Sequence, residues 1–350
     1  YGGNSKQVEK NTRVKARVKA HALREIIESR EHVMIMGHSI SDTDAFGAAI
    51  GIYCAARVLG KKAQIVLDQV TSSLRPLKEG FTTEKGYPPD MFVSSERALE
   101  LTDYNTLVMV VDVNRPSHTE CPGLLKRTDS IVVFDHHRQS SEVISNPVLS
   151  YIEPYASSTC EMVAEVLQYF TENIKLAPHE ADCIYAGILI DTSNFMTKTG
   201  VRTFEAAAYL KRCGAEVTRV RKMLRNDMDA YKARAEVVRH AEVYRGAFAI
   251  SICPADKIES PTIVGAQAAD ELLNIVGIKA SFVLTEYQGK IYVSSRSIDE
   301  INVQKIMERL GGGGHLNMAG CQLRDCTVSQ AQRIIEDTID EMLEEGDIEE

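Results

Sequence analysis

The sequence predicts an α/β fold: a doubly wound, mainly parallel sheet, joined by a helical linker to a smaller α+β domain. Strand-like apolar runs alternate with helical patterns over the first 225 residues, as a doubly wound sheet requires. The runs are continuous rather than alternating, which marks strands buried on both faces of a parallel sheet. Beyond residue 247 the pattern changes to a hairpin flanked by helices. At roughly 150 residues per domain, 350 residues make about two domains. The spacing divides the chain at 1–30, a basic connector from a segment upstream; 31–225, the α/β domain; 226–246, the linker; and 247–345, the second domain.

Val33-Met34-Ile35-Met36 is the first strand, and Phe46, Ala49, Ile50, Tyr53 and Cys54 mark one face of the helix after it. Ile65–Leu67, Leu107–Val111 and Ile131–Phe134 are further buried strands. A capping box, Ser158-x-x-Glu161, opens a helix bearing Val163, Val166, Leu167 and Phe170. The helix after Pro178 carries Ala181, Ile184, Tyr185, Ile188 and Leu189 and stops at Asp191. Asp227 to Arg245 lacks Gly and Pro and reads as the connecting helix. Phe248–Cys253 is a strand, and Ala280–Tyr287 and Lys290–Ser297 form a hairpin about Gln288-Gly289. Helices are expected at 261–276 and 302–310, and a last one buries Ala331, Ile334, Ile335, Ile339 and Met342.

Hydrophobic residues at 44% and charged residues at 25% exclude a disordered or collagenous chain. The net charge of −9 argues against a coat on long nucleic acid, which needs excess Lys and Arg. Its distribution is uneven: Lys6 to Arg30 holds eight basic residues against three Glu, and Glu336 to Glu350 holds nine acids and no base. The basic arm is expected to be a solvated helix face continuing from an upstream segment, with an anionic contact as the alternative. The chain starts at Tyr1 without Met and is read as a fragment or processed form. Eight cysteines without a Cys-x-x-Cys pair read as buried hydrophobes of a reducing compartment.

The chemistry lies where the strands end. The first strand runs out into His38-x3-Asp42-x-Asp44, the 107–111 strand into Asp112, and the 131–134 strand into Asp135-His136-His137. Ligands of open α/β sheets bind outside the carboxyl ends of the strands, so these clusters should converge, with Asp191 joining them. Four or five crowded carboxylates repel unless cations sit between them. Carboxylates with His and no thiolate favour Mn²⁺ or Mg²⁺, with Fe²⁺ also suited. His38, Asp42, Asp44, Asp112, His136 and Asp191 are too many for one ion, but suit two that share a bridging carboxylate, about 3.5–4 Å apart, as in phosphoester hydrolysis. Asp68 also follows a strand and is read as a cap or turn residue. In the second domain, Gly311-Gly312-Gly313-Gly314-His315 leaves backbone N–H groups open to a phosphate, and Arg296 in Ser294-Ser295-Arg296-Ser297 can grip one bidentately. A flexible connector is the alternative reading of the glycine run.

This ordered set, His38-x3-Asp42-x-Asp44-x2-Gly47, Asp112, Asp135-His136-His137, Asp191 and Gly312-Gly313-Gly314-His315, resembles the DHH phosphoesterase superfamily with its DHHA1 domain over about residues 30 to 345. Within it, the stretch Tyr1 to Arg30 leading into Met36-Gly37-His38, together with Asn302-Val303-Gln304, looks like the cytoplasmic catalytic part of membrane-anchored cyclic-di-AMP phosphodiesterases. The resemblance implies an enzyme on the cytoplasmic side of a bacterial membrane, anchored only through an upstream segment with transmembrane, PAS and degenerate GGDEF parts. It implies two Mn²⁺ per chain: one held by His38, Asp42 and Asp112, the other by Asp44, Asp112, His136 and Asp191. Asp135 would orient His136, and His137 would face the phosphate or the attacking water. Gly312, Gly313, Gly314, His315 and Arg296 would hold the phosphate that is not cleaved. The implied reaction takes cyclic di-AMP to linear pApA, with no long nucleic acid as partner and a homodimer allowed. Ser295, where alanine is common, and Asn317, where a small residue is usual, depart from the pattern and bear on base preference. The alternatives are a nanoRNase-like hydrolase of short oligonucleotides or pAp, and a sensor that binds a cyclic dinucleotide without cleaving it.

Overall fold

The computed structural model describes residues 5–139, 142–172, 174–225, 228–255, 258, 260–298 and 301–348, without the side chains of 5–12 and of His315. The chain forms two compact units, residues 1–225 and 226–350.

The first unit runs α1 (Ser5–Glu28), β1 (His32–Met36), α2 (Thr43–Val58), β2 (Lys62–Val66), α3 (Arg75–Lys78), β3 (Phe92–Val93), α4 (Ser95–Leu101), β4 (Thr106–Val111), β5 (Ile131–Asp135), β6 (Leu149–Ile152), α5 (Thr159–Phe170), α6 (Pro178–Asp191), α7 (Val201–Arg212) and α8 (Val217–Met223). Its six strands are all parallel, in the order β3-β2-β1-β4-β5-β6. Alternate residues of β1 feed different cores: Val33 and Ile35 pack among the α2, α5 and α6 side chains, Met34 and Met36 on the opposite face with Val108 and Val110. The strand order reverses between β1 and β4, where such a sheet opens its ligand crevice.

The basic side chains Arg13 and Lys15 of α1 are mostly exposed, but the same helix also carries a buried stripe. In α1 the side chains of Ala16, Ala20, Leu23 and Ile27 are fully buried in the core of this unit. That i, i+4, i+7, i+11 series is one helical stripe. Lys15 reaches Glu153 at 3.1 Å and Lys19 the Ser150 carbonyl at 2.7 Å, so basic residues flank the apolar stripe and bind it down. Among the described residues, no helix is long and apolar enough to cross a membrane.

The second unit runs α9 (Met228–Arg239), β7 (Glu242–Tyr244), β8 (Phe248–Cys253), α10 (Pro261–Leu272), β9 (Ala280–Tyr287), β10 (Lys290–Ser297), α11 (Val303–Arg309), β11 (Gly313–His315), β12 (Met318–Leu323) and α12 (Val328–Glu344). Its sheet, β11-β12-β10-β9-β8-β7, is antiparallel except for the β8–β9 pair. The α11 and α12 side chains cover one face, with Phe248, Ile250 and Phe282; those of α9 and α10 cover the other, with Ala249 and Val283. One expectation fails here. The connecting helix ends at Arg239, and 242–244 is an edge strand paired to β8. The glycine run is no flexible connector, because its second half is a strand paired to β12.

Candidate metal centre

The tips of β1, β4 and β5 and the facing ends of α2 and α6 bring His38, Asp42, Asp44, Asp112, His136 and Asp191 together. Asp42 caps α2: its Oδ1 accepts from the amides of Asp44 and Ala45, both at 3.0 Å. Its second oxygen, Oδ2, lies 3.4 Å from His38 Nε2, so capping leaves this atom of the carboxylate available to an ion. Asp44, in the first turn of α2, is fully buried. Its Oδ2 accepts from the Thr159 amide at 2.7 Å and its Oδ1 from that of Cys160 at 2.9 Å, so the positive end of α5 faces it. Gly187 of α6 makes room, since a Cβ there would stand 3.0 Å from Asp44 Oδ1 and 2.4 Å from Cys160 Sγ.

Asp112 follows β4 with φ of +62°, a left-handed conformation that costs a non-glycine residue about 1 kcal/mol or more. Its carboxylate stands between two donor groups. Oδ2 is 3.7 Å from His38 Nε2, and Oδ1 is 3.5 Å from His136 Nε2. His136 Nε2 also lies 3.2 Å from Asp191 Oδ2 and 3.8 Å from Asp44 Oδ2. Donor separations of 3–4 Å are those of ligands sharing one ion with bonds of about 2.1 Å.

Three observations fit a divalent ion. His136 Nε2 is buried and makes no hydrogen bond of proper geometry, although three carboxylates surround it. Burial, then Asp191, pushes the Asp44 carboxyl up to about 6, and burial, then Asp44, pushes Asp112 upward as well. Burial opposes charge on His136, but Asp191 and Asp44 raise it to about 9. Cations between these groups would relieve all three. The donor set is oxygen and imidazole; the nearby Cys160 thiol gives its hydrogen to the Asp44 carbonyl, and burial holds it protonated.

Asp135 serves a different neighbour from the one expected. Its Oδ1 receives the His137 backbone amide at 3.0 Å and stands 2.8 Å from His137 Nδ1, while its Oδ2 takes Asn114 Nδ2 at 2.5 Å. The His137 ring turns back onto Asp135 in the bend after β5, while lying beside the His136 ring with centroids 4.3 Å apart. Asn114 and Thr159 are absent from the sequence-based set. Thr159 sits inside a visible helix-start pattern, but that pattern is read only as a cap. Of the box, Ser158 Oγ does accept from the Glu161 amide at 3.0 Å, while the Glu161 carboxylate turns to Ser157 and Thr203. Asp68 is a structural residue: its carboxylate takes the amide and hydroxyl of Ser95 at the start of α4.

In the second unit the register sets Arg296 on β10 opposite Met318 on β12, and Met318 opposite His315 on β11. Arg296 is largely buried and engaged, with Nε on Asp270 Oδ1 at 2.8 Å and Nη1 on the Ser295 carbonyl at 2.9 Å. The glycines differ in role. A Cβ on Gly312 would stand 2.2 Å from the Gly320 carbonyl oxygen, whereas one on Gly313 would meet nothing within 4 Å. Gly312 is a packing requirement. Gly313 is open.

This architecture and strand-end cluster define a phosphoesterase-type α/β unit with an accessory mixed-sheet domain. The chain belongs to the DHH family: residues 32–188 match the model of the DHH family N-terminal domain, and 248–345 that of the DHHA1 domain. It is 42% identical over 350 residues to the cyclic-di-AMP phosphodiesterase GdpP of Geobacillus thermodenitrificans, covering 99% of this chain and 53% of that protein. It is 41% identical to GdpP of Bacillus subtilis with the same coverage. The chain thus spans about half the length of these curated relatives. Among solved structures, an exopolyphosphatase-related protein from Bacteroides fragilis superposes with a TM-score of 0.80 at 18% identity, covering 93% of this chain and 96% of that one. RecJ of Thermus thermophilus in complex with Mn²⁺ gives 0.56 at 15% identity, over 92% of this chain and 54% of RecJ. Both share the fold.

Proposed function

We propose that this chain hydrolyses a 3′–5′ phosphodiester of cyclic di-AMP to linear pApA, using two divalent ions, preferably Mn²⁺. The observation that carries the reading is the Asp112 carboxylate placed between the His38–Asp42 pair and the Asp44–His136–Asp191 group. The likeness to the phosphodiesterases named above supports the substrate. When bound, the ions would lower the pKa of a water and neutralise phosphoryl oxygens. His38, Asp42 and Asp112 would hold one ion, and Asp44, Asp112, His136 and Asp191 the other.

The protein's own groups supply the rest. Asp135 fixes His137 through Nδ1, which leaves Nε2 of this half-exposed ring as the atom that gives or takes a proton. His137 Nδ1 is 3.6 Å from Asp112 Oδ1, but its engagement with Asp135 argues for proton transfer rather than ligation. Gly312, Gly313, Gly314, His315 and Arg296 would hold the phosphate that stays intact, with the open Gly313 backbone as the point of close approach. Any membrane anchor would lie in sequence outside this chain, and a homodimer is compatible with the reading.

The test is incubation with cyclic di-AMP, pApA and pAp in Mn²⁺, with products separated chromatographically. Cyclic di-AMP should yield pApA and nothing smaller, EDTA should stop turnover, and Mn²⁺ should restore it. Faster loss of pApA and pAp would favour the oligonucleotide reading, which a 25% likeness to the bifunctional oligoribonuclease and PAP phosphatase NrnA of Thermus thermophilus also supports. Binding without turnover would make the chain a sensor.

A further inference from the structure

We infer that Thr159 is a positioning residue of this metal centre, whose hydroxyl fixes the direction of the Asp112 carboxylate; the inference rests on the metal-centre reading. Thr159 opens α5 and is fully buried. Its Oγ1 donates to Asp112 Oδ1 at 2.9 Å, and its amide donates to Asp44 Oδ2 at 2.7 Å. One residue thereby ties the carboxylate that stands between the two donor groups to a carboxylate of the second group.

Asp112 needs such a tie. Its backbone is in the left-handed region, and its two oxygens face different groups, Oδ2 toward His38 and Oδ1 toward His136. A hydrogen bond to a charged group is strong enough to select one rotamer over another. Thr159 is itself held rigid. Threonine is stiff at χ1, Ser158 caps its helix, and the buried Glu161 carboxylate locks the turn by accepting from Ser157 Oγ at 2.5 Å and Thr203 Oγ1 at 2.6 Å. The three serine and threonine residues before Glu161 therefore do more than start a helix. Ser157 and Ser158 brace the first turn through Glu161, and Thr159 fastens it to Asp112 and Asp44.

A residue that only starts α5 would affect folding and leave metal affinity unchanged. Thr159→Val separates the two roles, because it keeps shape, β-branching and the backbone amide and removes only the donor; Thr159→Ser restores the donor. Metal-free protein is titrated with Mn²⁺ while free Mn²⁺ is followed by electron paramagnetic resonance, and the fold of each metal-free variant is checked by thermal melting. Thr159→Val should bind Mn²⁺ about 10- to 100-fold more weakly than wild type, and Thr159→Ser close to wild type. If Thr159→Val does not fold, Thr159→Ala carries the same expectation. Wild-type affinity in a folded variant without the hydroxyl overturns the inference while leaving the metal centre standing. Wild-type protein that binds no Mn²⁺ overturns the metal centre, and the inference with it.

Discussion

Asp135 receives both the backbone amide and the ring Nδ1 of His137, at 3.0 and 2.8 Å, while Asn114 holds its other oxygen. The ring is thus oriented by a fully buried carboxylate, as in an acid–base pair. His137→Ala should lower kcat by about 100- to 10,000-fold, and Asp135→Asn by about 10- to 100-fold, with Mn²⁺ content unchanged in both. Loss of metal from His137→Ala would make this residue a ligand instead.

Two carboxylates at strand ends are predicted to differ. Asp112→Ala removes the group shared by both donor sets and should abolish turnover with the fold retained. Asp68→Ala removes the partner of Ser95 at the start of α4 and should cost about 1 kcal/mol of stability with activity kept. Paired activity assays and melts decide it.

The buried Asp44 carboxyl sets a pH dependence in metal-free protein. Its pKa is raised from 3.8 to about 6 on folding, so stability is fullest below the lower value and falls as pH rises through the higher. Asp44→Asn lacks this loss. Between pH 4 and 7.5 the stability difference should shift in favour of the variant by on the order of 2–3 kcal/mol, and saturating Mn²⁺ should reverse the order. Parallel denaturation curves would refute this.

Gly312 and Gly313 are neighbours with different tasks. Gly312→Ala should destabilise the second unit through collision with the Gly320 carbonyl. Gly313→Ala should leave the melt unchanged and raise KM for cyclic di-AMP.

Much of this was legible in the sequence, because buried parallel strands are apolar runs and the ligands follow where each run stops. Asp112 after Leu107–Val111 and Asp135-His136-His137 after Ile131–Phe134 are such breaks. The packing of α1 was hidden, since its stripe is half alanine and lies among lysines and arginines, which reads as a solvated face. Strand β11 was hidden because glycine carries no strand signal. The pairing of Asp135 with His137 was hidden because it is made in the bend after β5, where strand alternation no longer applies. Thr159 was invisible because its partner Asp112 is 47 residues away. Removing Leu23 tests the packing of α1: Leu23→Ala should cost about 2–5 kcal/mol, where an unpacked helix would lose nothing.

In the proposed centre the Asp112 carboxylate is shared by two ions and organises them into one unit. The most direct measurement is the electron paramagnetic resonance spectrum of protein loaded with Mn²⁺, alongside metal analysis, for wild type and Asp112→Ala. The account predicts two Mn²⁺ per chain with the spectrum of a spin-coupled pair, and loss of that coupling in Asp112→Ala. One Mn²⁺ per chain, or two with spectra of isolated ions in the wild type, would contradict it.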